Sequence, residues 1–226
     1  EDGFAKRSEL FSGNQAECKT LQDMITSLEG PAREPGKTVI LDAGIATQEN
    51  TDWLKSNGYH YIVCHRGKSP FTPDELNKDG FSVIREDAHE GIRISVQQKD
   101  HDGERYVICH SQKRECTDSG IRSLQETRLL DALAYLKAGL SVPKRAKTFQ
   151  KISEMIGRLK EKYSRVARLY TIDIISESHP ENPAKAVITD LTWQKNKQLH
   201  DVQLTTEGQY VLRTDRLDLT QEEIWK

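Results

Sequence analysis

A single aspartate at the end of a short apolar run is the residue of this sequence that best fits catalytic chemistry. Asp42 follows the apolar and β-branched residues 38–41 and precedes the turn sequence Ala43-Gly44. Such a run predicts a buried parallel strand, and catalytic or ligand-binding carboxylates gather at the carboxyl ends of such strands in α/β sheets. An aspartate before a glycine turn can also serve only to accept hydrogen bonds from turn amides. The residues alone leave both interpretations of Asp42 open.

A basic segment in the second half of the chain has binding chemistry of its own. Residues 144–168 contain nine Lys or Arg and two Glu, which gives a local charge of +7. Because the whole chain has a net charge of −2, the remaining residues carry −9. A helix with this charge can follow a phosphate backbone. It can equally be the solvated face of a helical pair.

Composition and motifs disfavour several other classes of protein. No apolar run approaches the ~18 residues that a membrane-spanning helix needs. Neither a Gly-x-Gly-x-x-Gly nor a phosphate-loop signature occurs, and no group of Ser, His and Asp has the context of a hydrolase nucleophile. The four cysteines include no Cys-x-x-Cys pair, which favours a reducing, cytoplasmic setting.

The sequence around Asp42 predicts the sheet that would position it. Residues 38–42 and 59–64 predict strands, and residues 48–57 predict a helix between them. This order of strand, helix and strand indicates a right-handed crossover between parallel strands. Upstream of it, two more elements are predicted: a strand at 8–11 and a helix at 18–28.

The remainder of the chain predicts short strands around a pair of helices. The helices are expected at about 121–140 and 146–170, where apolar residues recur three and four apart. Leu129, Leu133 and Leu140 share one face of the first helix, so the pair is expected to form an antiparallel hairpin. Strands are predicted on both sides of it, at 81–84, 92–96, 105–109, 169–175, 186–191 and 209–212.

Three segments, in order along nearly the whole chain, carry a family resemblance. They are residues 11–21 (FSGNQAECKTL), residues 39–46 (VILDAGIA) with Glu49-Asn50 and 61–63, and residues 208–214 (GQYVLRT) with 222–225. Together they resemble the DDE transposases of bacterial insertion sequences, specifically the insertion-sequence-four group. The resemblance implies an α/β fold: a partial ribonuclease H-like mixed sheet with a large inserted region of β-strands and an antiparallel helical hairpin.

The resemblance also implies a division of the chain and an activity. Residues 1–65 would be part of the catalytic core, 66–214 the inserted region, and 215–226 the approach to a last catalytic helix. The activity would be DNA transposition by metal-dependent strand cleavage and transfer in a bacterial cytoplasm. Asp42 corresponds to the second aspartate of the family and would be both the catalytic residue and a ligand of Mg²⁺ or Mn²⁺. These are hard cations that prefer oxygen ligands.

Such enzymes use three carboxylates, and only Asp42 can be assigned in this sequence. The resemblance places the first aspartate on a strand before Glu1 and the glutamate on a helix after Lys226. Other carboxylates near the end of the chain precede that motif and are not assigned to the site: Asp215, Asp218, Glu222 and Glu223. The chain is therefore expected to be an internal fragment that is inactive alone.

The expected partner is DNA, both transposon ends and target, and a homodimer is one expected assembly. Five basic residues are candidates for phosphate contacts: Arg66, Lys68, Lys144, Arg145 and Lys147. Two other hypotheses stay open. The chain could be a non-catalytic DNA-binding or regulatory remnant, or the helical hairpin could be an interaction module that pairs with a second copy or another helix.

Overall fold

A computed structural model describes residues 8–29, 35–65, 69–72, 75–76, 80–142, 148–177 and 187–226. The chain divides into two compact units, and each is described by itself. Residues 1–112 and 209–226 belong to the first unit, and residues 113–208 to the second. The division predicted at residues 65 and 214 stays a prediction.

The described residues form eight strands and seven α-helices. The strands are β1 (Thr38–Leu41), β2 (His60–Cys64), β3 (Ser82–Asp87), β4 (Ile92–His101), β5 (Glu104–Ser111), β6 (Tyr170–Glu177), β7 (Val187–Lys195) and β8 (Gln209–Thr214). The helices are α1 (Leu21–Glu29), α2 (Gln48–Ser56), α3 (Gln112–Leu140), α4 (Phe149–Lys162), α5 (Ser164–Ala167), α6 (Lys197–Thr206) and α7 (Gln221–Trp225).

The first unit contains a mixed, mostly antiparallel sheet in the order β1-β2-β8-β5-β4-β3. Strands β1 and β2 are parallel, with Thr38 opposite His60 and Leu41 opposite Val63. Helix α2 lies between them in the chain, so the predicted order of strand, helix and parallel strand is confirmed, and the right-handedness of the crossover stays a prediction. Strand β8 is antiparallel to both of its neighbours, β2 and β5. The mixed α/β architecture agrees with the fold class expected from the sequence.

Side chains alternate across this sheet and build a separate core on each face. On one face, Tyr61 and Val63 pack with Leu54 of α2 and with residues of α1. On the other face, Ile62 and Val107 pack with Ile224 of α7. Helices from different parts of the chain therefore cover these two cores.

Two predictions for the first 30 residues need correction. Residues 8–11 form no strand, because they pair with no described strand. The helix predicted at 18–28 is instead a 3₁₀ turn at Glu17–Lys19 followed by α1. The Thr20 side chain bonds back to the Glu17 carbonyl at 2.8 Å, which closes the 3₁₀ turn before α1 begins.

The second unit is built around α3 and α4. The predicted apolar face of α3 is confirmed, since its leucines are buried together with Ile152 and Ile156 of α4 and Leu191 of β7. Strands β6 and β7 pair as an antiparallel hairpin. The antiparallel arrangement of the two helices stays a prediction.

Both predicted helix boundaries in this unit need correction. Helix α3 begins at Gln112 rather than near 121, although its first turns lack an apolar period. Its residue Asp118 accepts a hydrogen bond from the Gly208 amide at 3.2 Å and pairs with Arg165 at 3.4 Å. The helix predicted to reach 170 ends at Lys162. The chain turns at Tyr163, and the Leu169 carbonyl then accepts from the Asn196 amide at 2.7 Å.

Helix α6 follows β7 and was not predicted from the sequence. Its mean hydrophobic periodicity is weak, and its N-terminal signal is Asn196, whose side chain accepts from the Leu199 amide at 3.1 Å. Within the described residues, no helix combines the length and apolarity that crossing a membrane requires.

Candidate active site at the end of the first strand

Asp42 directly follows β1, and its side chain is exposed. One carboxylate oxygen accepts a hydrogen bond from the Ala43 amide at 2.7 Å. The Asp42 carbonyl accepts from the amides of Ile45 and Ala46 at 3.1 and 3.2 Å. The turn therefore holds the carboxylate through one oxygen. The other oxygen has no hydrogen-bond partner among the described residues.

The turn that carries Asp42 is anchored by a buried amide on α2. Asn50 is 2% exposed, and its Nδ2 donates to the carbonyls of Cys18 and Ile45, both at 2.7 Å. These two bonds join the 3₁₀ turn near residue 18 to the loop after Asp42. Asn50 is thus a positioning residue for the site. The sequence analysis names Asn50 only as part of the family resemblance and gives it no role. The sequence signal for such a role is an Asn three residues after the Thr that caps the helix.

Hydrogen bonds of two threonine side chains also hold the start of α2, next to the Asn50 amide. Thr47 is the N-cap, and its hydroxyl accepts from the Asn50 amide at 3.2 Å. Thr51 is fully buried, and its hydroxyl donates to the Gln48 carbonyl at 2.9 Å. An N-cap of this kind contributes about 1 kcal/mol. The helix start and the Asp42 loop therefore form one hydrogen-bonded unit.

We expect Asn50→Ala to destabilise the first unit by about 2 kcal/mol, since it removes both bonds that join the Cys18 and Ile45 segments, although the Ile45 carbonyl keeps the Thr47 amide as a donor at 2.8 Å. Urea unfolding of the 226-residue chain measures this loss. Asn57→Ala is the matched control on the same helix. Its Nδ2 donates to the Trp53 carbonyl at 2.8 Å, but that carbonyl keeps the Asn57 backbone amide as a donor at 3.1 Å. Equal losses in the two variants would contradict the anchoring role of Asn50.

Another aspartate lies at the opposite end of the same strands. Asp215 contacts the start of β2, with its Oδ2 2.9 Å from His60 Nδ1 and its Oδ1 3.0 Å from the Tyr61 amide. Asp42 follows the far end of β1, which runs parallel to β2. Four strand residues separate these ends by about 13 Å at ~3.3 Å per residue. One metal ion cannot bind both carboxylates.

The remaining carboxylates near the end of the chain are engaged locally. Arg216 bonds both oxygens of Asp218 at 2.7 Å and lowers the pKa of that carboxyl to about 2. Glu223 accepts from the amide and hydroxyl of Thr220, both at 2.9 Å, and these bonds lower its pKa. Glu222 is exposed on α7. Among the described residues, the structure shows no contact between these carboxylates and Asp42.

On the α2 face of the sheet, the members of a charged cluster pair with one another. Glu104 accepts from the Tyr61 hydroxyl, from Lys55 Nζ at 2.9 Å, and lies 3.5 Å from Arg213 Nε. Burial raises the pKa of Glu104, but the bonds from Tyr61 and Lys55 outweigh it and hold that pKa below its ordinary value. The carboxylate is neutralised by its own neighbours, so the cluster stabilises the sheet.

The structure describes only part of the predicted site. Of the predicted site residues, Asp42 is described by the structure. Among the described residues, no group of three or more His, Cys, Asp or Glu could hold a metal ion. The five basic residues predicted to contact DNA lie outside the described residues: Arg66, Lys68, Lys144, Arg145 and Lys147. Asp42 as a hard, exposed oxygen donor fits Mg²⁺ or Mn²⁺ as one ligand of a larger set.

The surface beside Asp42 is open. Ile40 is 78% exposed and lies opposite Ile62, on the face that α7 covers farther along the sheet. Asp42 comes two residues after Ile40, directly beyond the end of the strand. Helix α7 ends beside β8, where Trp225 Nε1 donates to the Tyr210 hydroxyl at 2.8 Å. Helix α7 therefore lies on the face of the sheet on which Ile40 is exposed.

Comparison with known proteins bears on what this site does. The family model described as "Transposase DDE domain" matches residues 3–165. No curated protein and no solved structure matches the chain. The matched segment includes Asp42, Asn50 and the whole β1-α2-β2 crossover. Since the match covers well over half of the 226 residues, this protein belongs to the transposase DDE domain family.

Proposed function

We propose that the protein is an internal part of a transposase of the insertion-sequence-four group, in which Asp42 is one of three carboxylate ligands of the catalytic metals. The family as a whole carries out DNA transposition, so DNA is its partner. The observation that carries the proposal is the exposed Asp42 carboxylate, held at the end of β1 through one oxygen, while its second oxygen has no hydrogen bond to a described residue. This leaves the second oxygen for a cation.

Bound Mg²⁺ or Mn²⁺ would supply Lewis-acid stabilisation of the phosphodiester oxygens during in-line displacement. The chain's own contribution is to hold Asp42 in place. Asn50 and Thr47 fix the loop after the strand, and the Ala43 amide orients one carboxylate oxygen. A carboxylate that is already oriented loses little freedom when it meets a cation, which favours binding.

The described part of the basic segment supports DNA contact. Lys151, Arg158 and Lys162 are exposed along α4, while Ile152 and Ile156 on the same helix are buried. Three cations on one solvated side of a helix are spaced for phosphates of a backbone. We propose that this side of α4 contacts DNA phosphates. Lys144, Arg145 and Lys147, and separately Arg66 and Lys68 of the first unit, stay proposed phosphate contacts.

The proposal includes the fragment hypothesis. One carboxylate binds Mg²⁺ weakly, because small hard cations need several oxygen ligands. The partners of Asp42 are proposed to lie in a longer protein, on a strand upstream of residue 1 and a helix downstream of residue 226. Residues 1–226 are then inactive alone.

The test uses a longer protein, translated in frame from the flanking DNA, and a duplex that bears the ends of the element. We expect Mg²⁺-dependent strand cleavage that EDTA abolishes and that residues 1–226 do not show. Replacing Lys151, Arg158 and Lys162 by Gln should lower the slope of log K against log salt by about 3. Lys19, Lys113 and Lys197, replaced together, are the matched control.

Cleavage that persists in EDTA would contradict the proposed metal site. Salt-dependent DNA binding by the longer protein without any cleavage would support a binding remnant in place of the enzyme. Equal salt slopes for the α4 variant and its control would remove α4 from the DNA surface.

A further inference from the structure

Helix α3 has a second stripe of side chains, mostly apolar, whose large members are exposed. Its core stripe is buried, with Leu129 and Leu133 fully inaccessible. On another side, side chains recur at spacings of three and four: Ile121, Leu124, Arg128, Asp131, Tyr135 and Ala138. These six residues are called the outer stripe. Ile121, Leu124 and Tyr135 in it are 44%, 52% and 63% exposed.

The outer stripe follows the a and d positions of a heptad repeat, the pattern by which two helices pack together. It extends over 18 residues, or about 26 Å at 1.5 Å per residue. The apolar residues of a helix at the surface of a protein normally face the core of that protein. Large exposed side chains at a and d positions indicate a partner helix.

The side chains of the outer stripe are complementary to those of a second outer stripe that runs in the opposite direction. If two copies of α3 pair antiparallel about the point between Leu129 and Leu130, Arg128 of each copy faces Asp131 of the other. In the same register, Leu124 faces Tyr135 and Ile121 faces Ala138. Every layer then pairs a large apolar side chain with an apolar one, or a cation with an anion. A two-fold axis requires such self-complementarity.

The charges of the stripe favour this partner over others. Neither Arg128 nor Asp131 makes an ion pair with another described residue, so both charges are available to a second chain. The stripe has no net charge, which disfavours DNA as its occupant. The residues along its flank are small, namely Gly120, Thr127 and Ala134, so a second helix can approach closely.

We propose that α3 is a dimerisation helix, whose outer stripe packs antiparallel against the outer stripe of a second copy of this chain. The seam is distinct from the leucine face that the sequence analysis considered for pairing, because that face is buried in the core of the second unit. An interface of one helix from each copy is small, so the dimer is of the weak, concentration-dependent class.

Analytical ultracentrifugation of the 226-residue chain between about 1 and 500 µM tests the proposal, since weak interfaces associate only toward the upper end of such a range. We expect the weight-average mass to rise from monomer toward dimer. Arg128→Asp and Asp131→Arg should each abolish the rise, because each places like charges opposite each other in both of the layers that flank the two-fold axis. The double variant should restore it. Lys197→Asp, on α6, is the matched charge-reversal control and should leave the rise unchanged.

Disulfide trapping tests the antiparallel register. In a Cys116→Ser background, which removes the exposed native thiol, the double variant Leu124→Cys/Tyr135→Cys should form a linked dimer under mild oxidation. Leu124→Cys alone should not. A monomer at every concentration would overturn the proposal. So would a dimer that both single charge reversals leave intact.

Discussion

Asp42→Asn is expected to lower metal-dependent DNA cleavage by the longer, in-frame protein at least about 10³-fold. Removing one anionic ligand weakens metal binding and the stabilisation that it provides, and about 4 kcal/mol corresponds to that factor. The substitution keeps an oxygen that can accept from the Ala43 amide. The free energy of unfolding should therefore change by less than about 0.5 kcal/mol, as at other exposed sites.

Single-turnover cleavage and urea unfolding measure the two halves of this expectation. Asp52→Asn is the matched control, because Asp52 is exposed on α2 and its side chain accepts from Gln48 Nε2 at 2.9 Å and bonds no other described residue. Asp42→Glu keeps the charge but moves it by one methylene, and it should raise the Mg²⁺ concentration needed for half-maximal cleavage. Full cleavage by Asp42→Asn would show that this residue is only a turn former.

The largest expected loss of stability is in the second unit, at a buried ion pair. Arg122 Nε lies 2.6 Å from Glu207 Oε1, and the two residues are 8% and 4% exposed. Arg122 also donates to Ser119 Oγ at 3.2 Å. We expect Arg122→Ala to cost about 3–5 kcal/mol, because it leaves the Glu207 charge buried without a partner.

Trp193 can report this loss for the second unit by its fluorescence. The other tryptophans, Trp53 and Trp225, belong to the first unit, so replacing both by Phe leaves a local probe. Lys137→Ala is the control, since the Lys137–Asp190 pair is 44% and 41% exposed in its side chains. Such an exposed pair contributes less than about 1 kcal/mol. A similar shift in both variants would contradict a special role for the buried pair.

The double variant Arg122→Met/Glu207→Leu separates the contribution of the ion pair to stability from the contribution of side-chain packing. It removes both charges and keeps apolar volume, so its loss should be well below that of Arg122→Ala. A larger loss for the double variant would mean that the remaining contacts of these side chains carry the stability.

The sequence alone determined the β1-α2-β2 crossover, the core face of α3 and the position of Asp42 at a strand end. These features depend on neighbours within a few residues. Apolar residues at spacings of two or of three and four select strand or helix. The turn sequence after residue 41 then sets where the strand stops, and a capping Thr sets where α2 begins.

Only the tertiary structure decided which distant segments meet. Strand β8 lies between β2 and β5, although about a hundred residues separate it from β5 in the chain. That pairing places Asp215 at the start of β2, far from Asp42. It is also a distant contact, to the Cys18 carbonyl, that makes Asn50 an anchor. Such contacts depend on register and burial between remote residues, which local periodicity does not encode.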